Sequence, residues 1–314
     1  MATLYLDRKD SELNLEGGAL VIRNPEGRKT VPLALVQRVV IAAKTYLDTN
    51  LLGRLAEAGV AVMLLDPRHG TRRAQLLGNG HNDASVRLAQ YRACADAAYC
   101  LDFAKSLVAA KLRRQCRWLT ETTGRRRDIR SVLEDAADKL QALAGNIRQA
   151  QSLDQLLGME GSGGRIYFQA YARLFPASLS FQGRRRRPPP DPVNAVLSLS
   201  YALLHTRAVQ MAWAAGLDPL LGFYHQPYWG RESLACDLVE PWRPCLDEWA
   251  YQWFRQRWLQ AGHFSRAGSG CRLGKSGRQR FFSAFEQQVK PLQRALRRQA
   301  TTLVKELKTC KPSI

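Results

Sequence analysis

The sequence predicts an α+β protein in which a small β-rich domain precedes a larger, all-α helical domain. Short apolar segments rich in β-branched residues, separated by glycine and proline turns, fill the chain up to about residue 76. After residue 84, apolar residues recur at spacings of three and four, which is the helical period. A Gly- and Asn-rich stretch, GNGHND, separates the two patterns. We therefore divide the chain into a β-rich domain (1–78), a linker (79–84) and a helical domain (85–314).

The β-rich domain consists of short predicted strands joined by tight turns. Leucines alternate with polar residues in TLYLD and again at Leu13 and Leu15, as in half-buried strands. Gly17-Gly18 and the stretch Asn24-Pro25-Glu26-Gly27 carry the residue types that turns require. The other predicted elements are strands at 36–41, 60–65 and 72–77 and a helix at 49–58 that ends at Gly59.

The helical domain begins with one long amphipathic pattern that runs from residue 85 to about residue 119. Its polar face carries basic residues: Lys105, Lys111, Arg113, Arg114 and Arg117. Further helices are predicted at 130–150, 152–175, 192–215, 233–260 and 279–309. Prolines exclude a helix from the segment GRRRRPPPDP, and glycines favour a second loop at 262–280.

Charge restricts the class of partner. The 314-residue chain has 47 Lys and Arg against 27 Asp and Glu, a formal net charge of +20. Such an excess causes self-repulsion and favours a polyanionic partner, with DNA or RNA ahead of an anionic membrane. A basic protein without a specific ligand is the plainer alternative.

Cysteine usage and the N-terminus both indicate a cytoplasmic protein. The seven cysteines are odd in number and form no CxxC pair, so we expect free thiols rather than a disulfide framework or a zinc knuckle. The segment MATLYLDRKD lacks the pattern of a signal peptide, and no run of 18 apolar residues predicts a membrane span.

Three separate segments carry acids and a histidine in distinctive settings. Glu160 stands between Gly158 and Gly161, and His225 follows the apolar strip GLDPLLGFY. Carboxylate and imidazole groups are ligands of divalent metals, and a metal site in a basic protein points to phosphodiester chemistry. The plainer alternatives are an exposed Glu160 at a helix break and a structural His225, and His205 reads as structural as well.

Asp237 and Glu240 lie three residues apart after Ser233, a candidate N-cap, and would share one helix face. Their apolar neighbours make an isolated charge costly by several kcal/mol unless a cation is bound. A role in the helix dipole remains the alternative.

Five segments carry a distinctive pattern: LLGMEGSGGRIYFQAY (156–171), RRPPPDPVNAVLSLSYALL (186–204), GLDPLLGFYHQPYWGRESLACDLVEPWRP (216–244), AQYRA (89–93) and VAAKLRRQ (108–115). Together they resemble one family, the CRISPR-associated integrase of spacer acquisition, called Cas1. The similarity extends along most of the chain and weakens beyond residue 260.

This resemblance implies a fold, partners and a site. The fold is a small β-domain joined to a helical domain that holds the metal. The partners are double-stranded DNA, a second copy of the chain in a homodimer, and the small protein Cas2, which bridges two dimers into a heterohexamer. The family's metal ligands carry over to Glu160, His225 and Glu240, while Asp237 matches a further acid near the site.

The function expected from the resemblance is a DNA integrase or endonuclease that depends on Mg²⁺ or Mn²⁺. The 3′-hydroxyl of a short duplex would attack a phosphodiester of the CRISPR repeat, with Glu160, His225, Asp237 and Glu240 as catalytic residues. Arg165 and the run Arg184, Arg185, Arg186 and Arg187 are the predicted DNA contacts. A non-specific nuclease of repair or defence and a non-catalytic DNA-binding scaffold remain alternatives.

Overall fold

The computed structural model confirms a β-rich N-terminal part followed by a mostly helical part. The described residues are 2–66, 72–78, 81, 83–185, 188–268 and 270–309. The predicted linker lies partly outside these ranges, so the domain boundaries remain a prediction.

Two four-stranded sheets form the N-terminal part, with the strand orders β1-β5-β7-β8 and β4-β3-β2-β6. The elements in chain order are β1 (Ala2–Leu6), β2 (Ser11–Glu16), β3 (Ala19–Asn24), β4 (Gly27–Pro32), β5 (Val36–Ile41), β6 (Thr45–Tyr46), α1 (Thr49–Glu57), β7 (Ala61–Leu65) and β8 (Arg72–Leu76). Gly17 and Gly18 both have positive φ, +55° and +77°, and join β2 to its antiparallel partner β3. The predicted hairpin is confirmed, because two consecutive left-handed residues are what a tight hairpin turn needs.

Nine α-helices and one hairpin are the main elements of the described residues beyond 83. They are α2 (Ala84–Ala95), α3 (Ala97–Thr123), α4 (Arg130–Asn146), α5 (Leu153–Ala172), α6 (Pro192–Ala214), α7 (Ser233–Val239), α8 (Arg243–Arg255), β9 (Phe264–Ala267), β10 (Gly270–Leu273), α9 (Lys275–Gln288) and α10 (Lys290–Thr309). The predicted loop at 262–280 is wrong in part, because β9 and β10 pair there as an antiparallel hairpin. None of the described helices is long and apolar enough to cross a bilayer.

Three predicted helices are interrupted, and the last of them, predicted over 279–309, breaks at Val289 between α9 and α10. The first breaks at Asp96, whose carboxylate accepts from the backbone N–H of Ala98 and Tyr99 and so caps α3. The second, predicted over 233–260, passes through a short 3₁₀ turn at Glu240–Trp242. Pro241 lies in that turn, and its missing N–H prevents a continuous α-helical ladder.

A buried polar cluster joins the β-rich part to the helical part, and we call it the junction cluster: Tyr5, Arg38, Arg207, Gln210 and Glu286. The Arg207 guanidinium contacts the Glu286 carboxylate, and the Tyr5 hydroxyl donates to the same carboxylate over 2.5 Å. Arg38 donates to the Gln210 side chain. Both arginines are at most 2% exposed, so the two parts are held together by desolvated polar contacts.

The described cysteines, Cys94, Cys100, Cys116, Cys236, Cys245 and Cys271, are free. Cys310 lies outside the described residues.

Candidate functional site

Glu160 lies in the middle of α5, which Ser152 caps by accepting from the Gln155 N–H over 3.2 Å. The helix predicted at 152–175 is confirmed, and the alternative of a helix break at Glu160 is wrong, since α5 runs without interruption past Gly158 and Gly161. A Cβ on either glycine would meet nothing within 4 Å. The backbone beside Glu160 is therefore open on that side, and the Glu160 side chain is 24% exposed.

Gly163 brings α5 close to α3 one turn further on. A Cβ on Gly163 would lie 2.5 Å from Leu112 Cδ2, so a larger residue would push the two helices apart. This close approach lets Lys111 of α3 reach across to α5, where its ammonium contacts the Glu160 carboxylate.

Lys111 also contacts Glu240, with 2.5 Å between Lys111 Nζ and Glu240 Oε1. One ammonium therefore bridges two carboxylates that come from α5 and from the 3₁₀ turn after α7. Burial opposes the charge on Lys111, but Glu240 and Glu160 outweigh it and raise the Lys111 pKa. The predicted place of Lys111 on a polar helix face is wrong, because this residue is only 7% exposed.

Glu240 is almost completely buried, at 2% exposure, and Arg243 Nε lies 3.1 Å from its second carboxylate oxygen. Burial is the largest influence on the Glu240 pKa and raises it. Arg243, Lys111 and His225 together outweigh burial and lower that pKa to about 2. Glu240 is therefore ionised at neutral pH. We call Lys111, Glu160, His225, Glu240 and Arg243 the site cluster.

Asp237 holds the loop that carries His225. One of its carboxylate oxygens accepts the backbone N–H of Phe223 (2.7 Å) and Tyr224 (3.1 Å). The other accepts the His225 N–H (2.9 Å) and lies 2.7 Å from His225 Nδ1. Four contacts fill the lone pairs of a carboxylate, which leaves Asp237 none for a metal.

The Asp237 contact also sets the chemistry of the imidazole. An ionised carboxylate only accepts hydrogen bonds, so the proton of the neutral ring is on Nδ1, and Nε2 keeps its lone pair. Gly222 makes this packing possible, because a Cβ there would lie 2.8 Å from Asp237 Oδ2 and 2.7 Å from the Ser233 carbonyl carbon. Ser233 is not the N-cap that we predicted, since Glu232 precedes α7 and the Ser233 hydroxyl donates to the Gln226 carbonyl.

Tyr224 brings a hydroxyl to the same region. Burial raises its pKa most strongly, and the negative charges of Glu160, Glu240 and Asp237 raise it further. The phenol is thus neutral and is one of the groups around the two carboxylates. The structure brings Glu160, Glu240 and His225 into one neighbourhood and sets Asp237 behind His225.

The side chains of the site cluster carry the donor atoms that a divalent metal binds, but they are arranged around an ammonium. As the side chains stand, the described residues contain no group of three or more His, Cys, Asp and Glu that could hold such an ion. The reason is visible in the site cluster, where the Lys111 ammonium lies between the two carboxylates. Two carboxylates that converge on one cation, beside an imidazole with a free Nε2, fit a divalent ion if Lys111 moves aside.

The predicted DNA-binding arginines lie in different settings. Arg165 is exposed on α5, although five residues place it roughly 140° around the helix from Glu160. Arg184 donates to Asn194 Oδ1 (2.9 Å) and Ser198 Oγ (3.1 Å), so its guanidinium is engaged within the protein. Arg185 is exposed, whereas Arg186 and Arg187 lie outside the described residues. Their contacts with DNA remain a prediction.

His205 has the structural setting that the sequence predicted. Its Nε2 lies 3.0 Å from Glu232 Oε2, and the other Glu232 oxygen contacts Arg72 of β8. This pairing ties the residue just before α7 to the N-terminal part.

Sequence comparison assigns the chain to a family. The family described as CRISPR associated protein Cas1 matches residues 4–287. A curated relative from Thermodesulfovibrio yellowstonii, named CRISPR-associated endonuclease Cas1 1, is 38% identical over 300 residues, which is 92% of each chain.

Solved structures support the same fold. A Cas1 protein from Thermotoga maritima matches with a TM-score of 0.87 at 21% identity, covering 98% of this chain and 97% of that one. A casposase bound to its integration product also reaches 0.87, at 20% identity, over 100% and 92% of the two chains. A Cas6-RT-Cas1–Cas2 complex reaches 0.85 at 22% identity, over 99% of this chain and 35% of that one. This chain belongs to the Cas1 family of CRISPR-associated proteins.

Proposed function

We propose that this chain is a metal-dependent DNA integrase that inserts short duplexes into a CRISPR array by 3′-hydroxyl attack on a phosphodiester. One observation carries the proposal: Glu160 and Glu240 converge on a single cation beside the Asp237-held His225. Membership of a family whose curated relative is named an endonuclease supports the same chemistry.

Glu160, His225 and Glu240 would hold the ion through two carboxylates and imidazole Nε2. Mg²⁺ or Mn²⁺ held there would supply Lewis-acid stabilisation of the charge that develops on phosphate. The nitrogen ligand favours Mn²⁺, because Mg²⁺ prefers oxygen and water.

The other residues prepare that donor set. Asp237 fixes the imidazole plane and its tautomer, as carboxylates behind metal-binding histidines commonly do. Lys111 keeps the buried Glu240 carboxylate and the partly exposed Glu160 carboxylate close together without a metal, and Arg243 compensates part of the Glu240 charge. Without these cations, two neighbouring carboxylates would repel and one would take up a proton.

Binding of the DNA backbone would rest on distributed cations, with Arg165 and Arg185 as exposed candidates. The net charge of +20 matches a polyanionic substrate. The chain would act in the cytoplasm as a homodimer, with Cas2 bridging two dimers, as the family resemblance implies.

A strand-transfer assay tests the function. A labelled short duplex, Mn²⁺, a Cas2 partner and a supercoiled plasmid with a CRISPR repeat are mixed with wild type, His225→Ala or His263→Ala. His263 is a matched control because it lies in the short 3₁₀ turn before β9, where its Nδ1 accepts the Gln260 N–H. We expect joined label with wild type and His263→Ala only, and none with any protein after chelation of the metal.

The alternatives give different products. Nicked or degraded plasmid without joined label would indicate a nuclease. DNA binding without any reaction, in Mn²⁺ and with the partner present, would indicate a scaffold. Joining by His225→Ala at the wild-type level would contradict the assignment of the site.

A further inference from the structure

Two aromatic side chains are unusually exposed on the loop that follows His225. Tyr228 is 74% exposed and Trp229 is 95% exposed. Burying a large apolar side chain stabilises a fold by roughly 1.5–3 kcal/mol. The Trp229 indole contributes almost none of this stabilisation, because it is exposed. Packing within the chain therefore does not explain Trp229.

The loop is held at both ends. The Gln226 carbonyl accepts from Arg231 Nη2 (2.5 Å) and from the Ser233 hydroxyl (3.1 Å), and the Arg231 N–H donates to the Tyr228 carbonyl over 3.0 Å. Gly230 provides the left-handed residue of this turn, with φ at +69°. The hydrogen bonds hold the tip in one shape and leave its rings in solvent.

The tip lies close to the site cluster. Trp229 is four residues from His225, so their Cα atoms are at most roughly 14 Å apart. His225 itself is fixed by Asp237, which makes the distance from imidazole to tip well defined. Arg231 adds a cation at the same place, with its guanidinium 5.4 Å from the centre of the Tyr228 ring.

Exposed aromatic rings next to a cation have the chemistry of a stacking platform for nucleobases. Bases stack on such rings with little regard to sequence, while the cation attracts the backbone. We propose that Tyr228 and Trp229 stack on an unstacked base of the DNA next to the phosphodiester that reacts. The inference deepens the proposed function and rests on it. The net charge of +20 favours DNA over a protein partner as the occupant.

Tryptophan fluorescence tests this contact. Wild type, Trp229→Phe and Trp258→Phe are titrated with a duplex that has single-stranded ends, and anisotropy of a dye on the DNA reports binding separately. Trp258 is a matched control, since it is partly exposed and has Arg280 over its ring. We expect DNA to quench wild type and Trp258→Phe, and Trp229→Phe to lose most of this quenching while it still binds.

Removing the ring should weaken binding. For Trp229→Ala, we expect affinity for the splayed duplex to fall by about tenfold, which corresponds to about 1.4 kcal/mol, whereas Trp229→Phe retains most of the affinity. Joining efficiency should fall in the same order.

Several outcomes would overturn the proposal. One is equal quenching of wild type and Trp229→Phe by DNA. Another is equal affinity of wild type and Trp229→Ala. Protection of Trp229 from acrylamide that increases with protein concentration, without DNA, would mean that a second copy of the chain covers the rings.

The experiments distinguish a failure of the stacking platform from a failure of the proposed function. If wild type joins DNA and Trp229→Ala matches it in quenching and joining, only the stacking platform is wrong. If wild type does not join DNA but its quenching depends on Trp229, the platform stands and the integrase proposal is wrong.

Discussion

The junction cluster and the site cluster are both buried, polar and built from cations and acids, yet they are organised differently. In the junction cluster both arginines are at most 2% exposed, and each has its own partner: Arg207 contacts the Glu286 carboxylate and Arg38 donates to the Gln210 side chain. In the site cluster the acids outnumber the lysine between them, and Glu160 and His225 are 24% and 21% exposed.

The two clusters differ in whether a metal ion can replace the cation that contacts the acids. Arginine is a rigid, planar donor that stays charged, which suits a permanent contact between two parts of a fold. The lysine ammonium is a compact point charge on a flexible stem, and a metal ion can take its place between two carboxylates. One side of the site cluster is open to solvent, so an ion and DNA can reach it.

The largest effect is expected from Glu160→Gln. Loss of one ligand should slow joining by about 1000-fold or more, since the ion's stabilisation of the transition state is worth several kcal/mol. Stability should change by less than about 1 kcal/mol, because Glu160 is partly exposed. Initial rates of joining and urea denaturation check both values, with Asp154→Asn on the same helix as the control. Joining at the wild-type rate would remove Glu160 from the ligands.

Arg207→Ala should instead destabilise the fold. Removing one partner of a buried ion pair costs about 3–5 kcal/mol, because the Glu286 carboxylate, which also accepts from the Tyr5 hydroxyl, loses its cation. Urea denaturation measures this loss. The control is Arg54→Ala, whose exposed pair with Glu57 should contribute less than about 1 kcal/mol. Equal losses in the two variants would show that the junction cluster does not hold the fold together.

Asp247 is a buried acid that accepts from the Tyr201 hydroxyl. The variant Asp247→Asn tests how its burial affects stability at different pH. Burial raises the Asp247 pKa to about 6 from a usual 3.8. The folded state therefore binds more protons than the unfolded state between these values, and this acid makes the protein less stable as the pH rises through that window. Relative to wild type, the variant should gain up to about 3 kcal/mol between pH 4 and pH 7. Urea denaturation at both pH values measures the gain, and a constant difference would contradict a raised pKa.

Asp237→Asn should weaken metal binding without removing a ligand. Carboxylates behind a metal-binding histidine commonly contribute 10- to 100-fold in affinity, so we expect about that loss for Mn²⁺. Calorimetric titration of wild type and Asp237→Asn with Mn²⁺ measures it. An unchanged affinity would mean that Asp237 only supports the backbone of residues 223–225.

Local patterns predicted much of the fold. The hairpin at Gly17-Gly18 and α1 followed from glycine placement and apolar spacing. Helical periodicity did not predict the interruption at Asp96, because apolar residues continue on both sides of it. The β9–β10 hairpin was also missed, because its glycines indicated a loop.

The site could be predicted by residue type but not by geometry. Glu160, His225 and Glu240 stood out from their settings, and the structure places Glu160 and Glu240 on one ammonium with His225 near Glu240. Their role as metal ligands stays a prediction. Lys111 was missed as a site residue because its partners lie 49 and 129 residues away, and long-range pairing leaves no local pattern. A signal did exist: Lys111 follows Leu107 by four residues and Val108 by three, which places it on the buried face of α3.

The most direct test of the account is anomalous diffraction from crystals of this protein soaked in Mn²⁺. We predict one strong peak at about 2.1 Å from carboxylate oxygens of Glu160 and Glu240 and from His225 Nε2, with the Lys111 ammonium displaced from between the acids. A Lys111 bridge that persists at saturating Mn²⁺, with no peak at the site cluster, would contradict it.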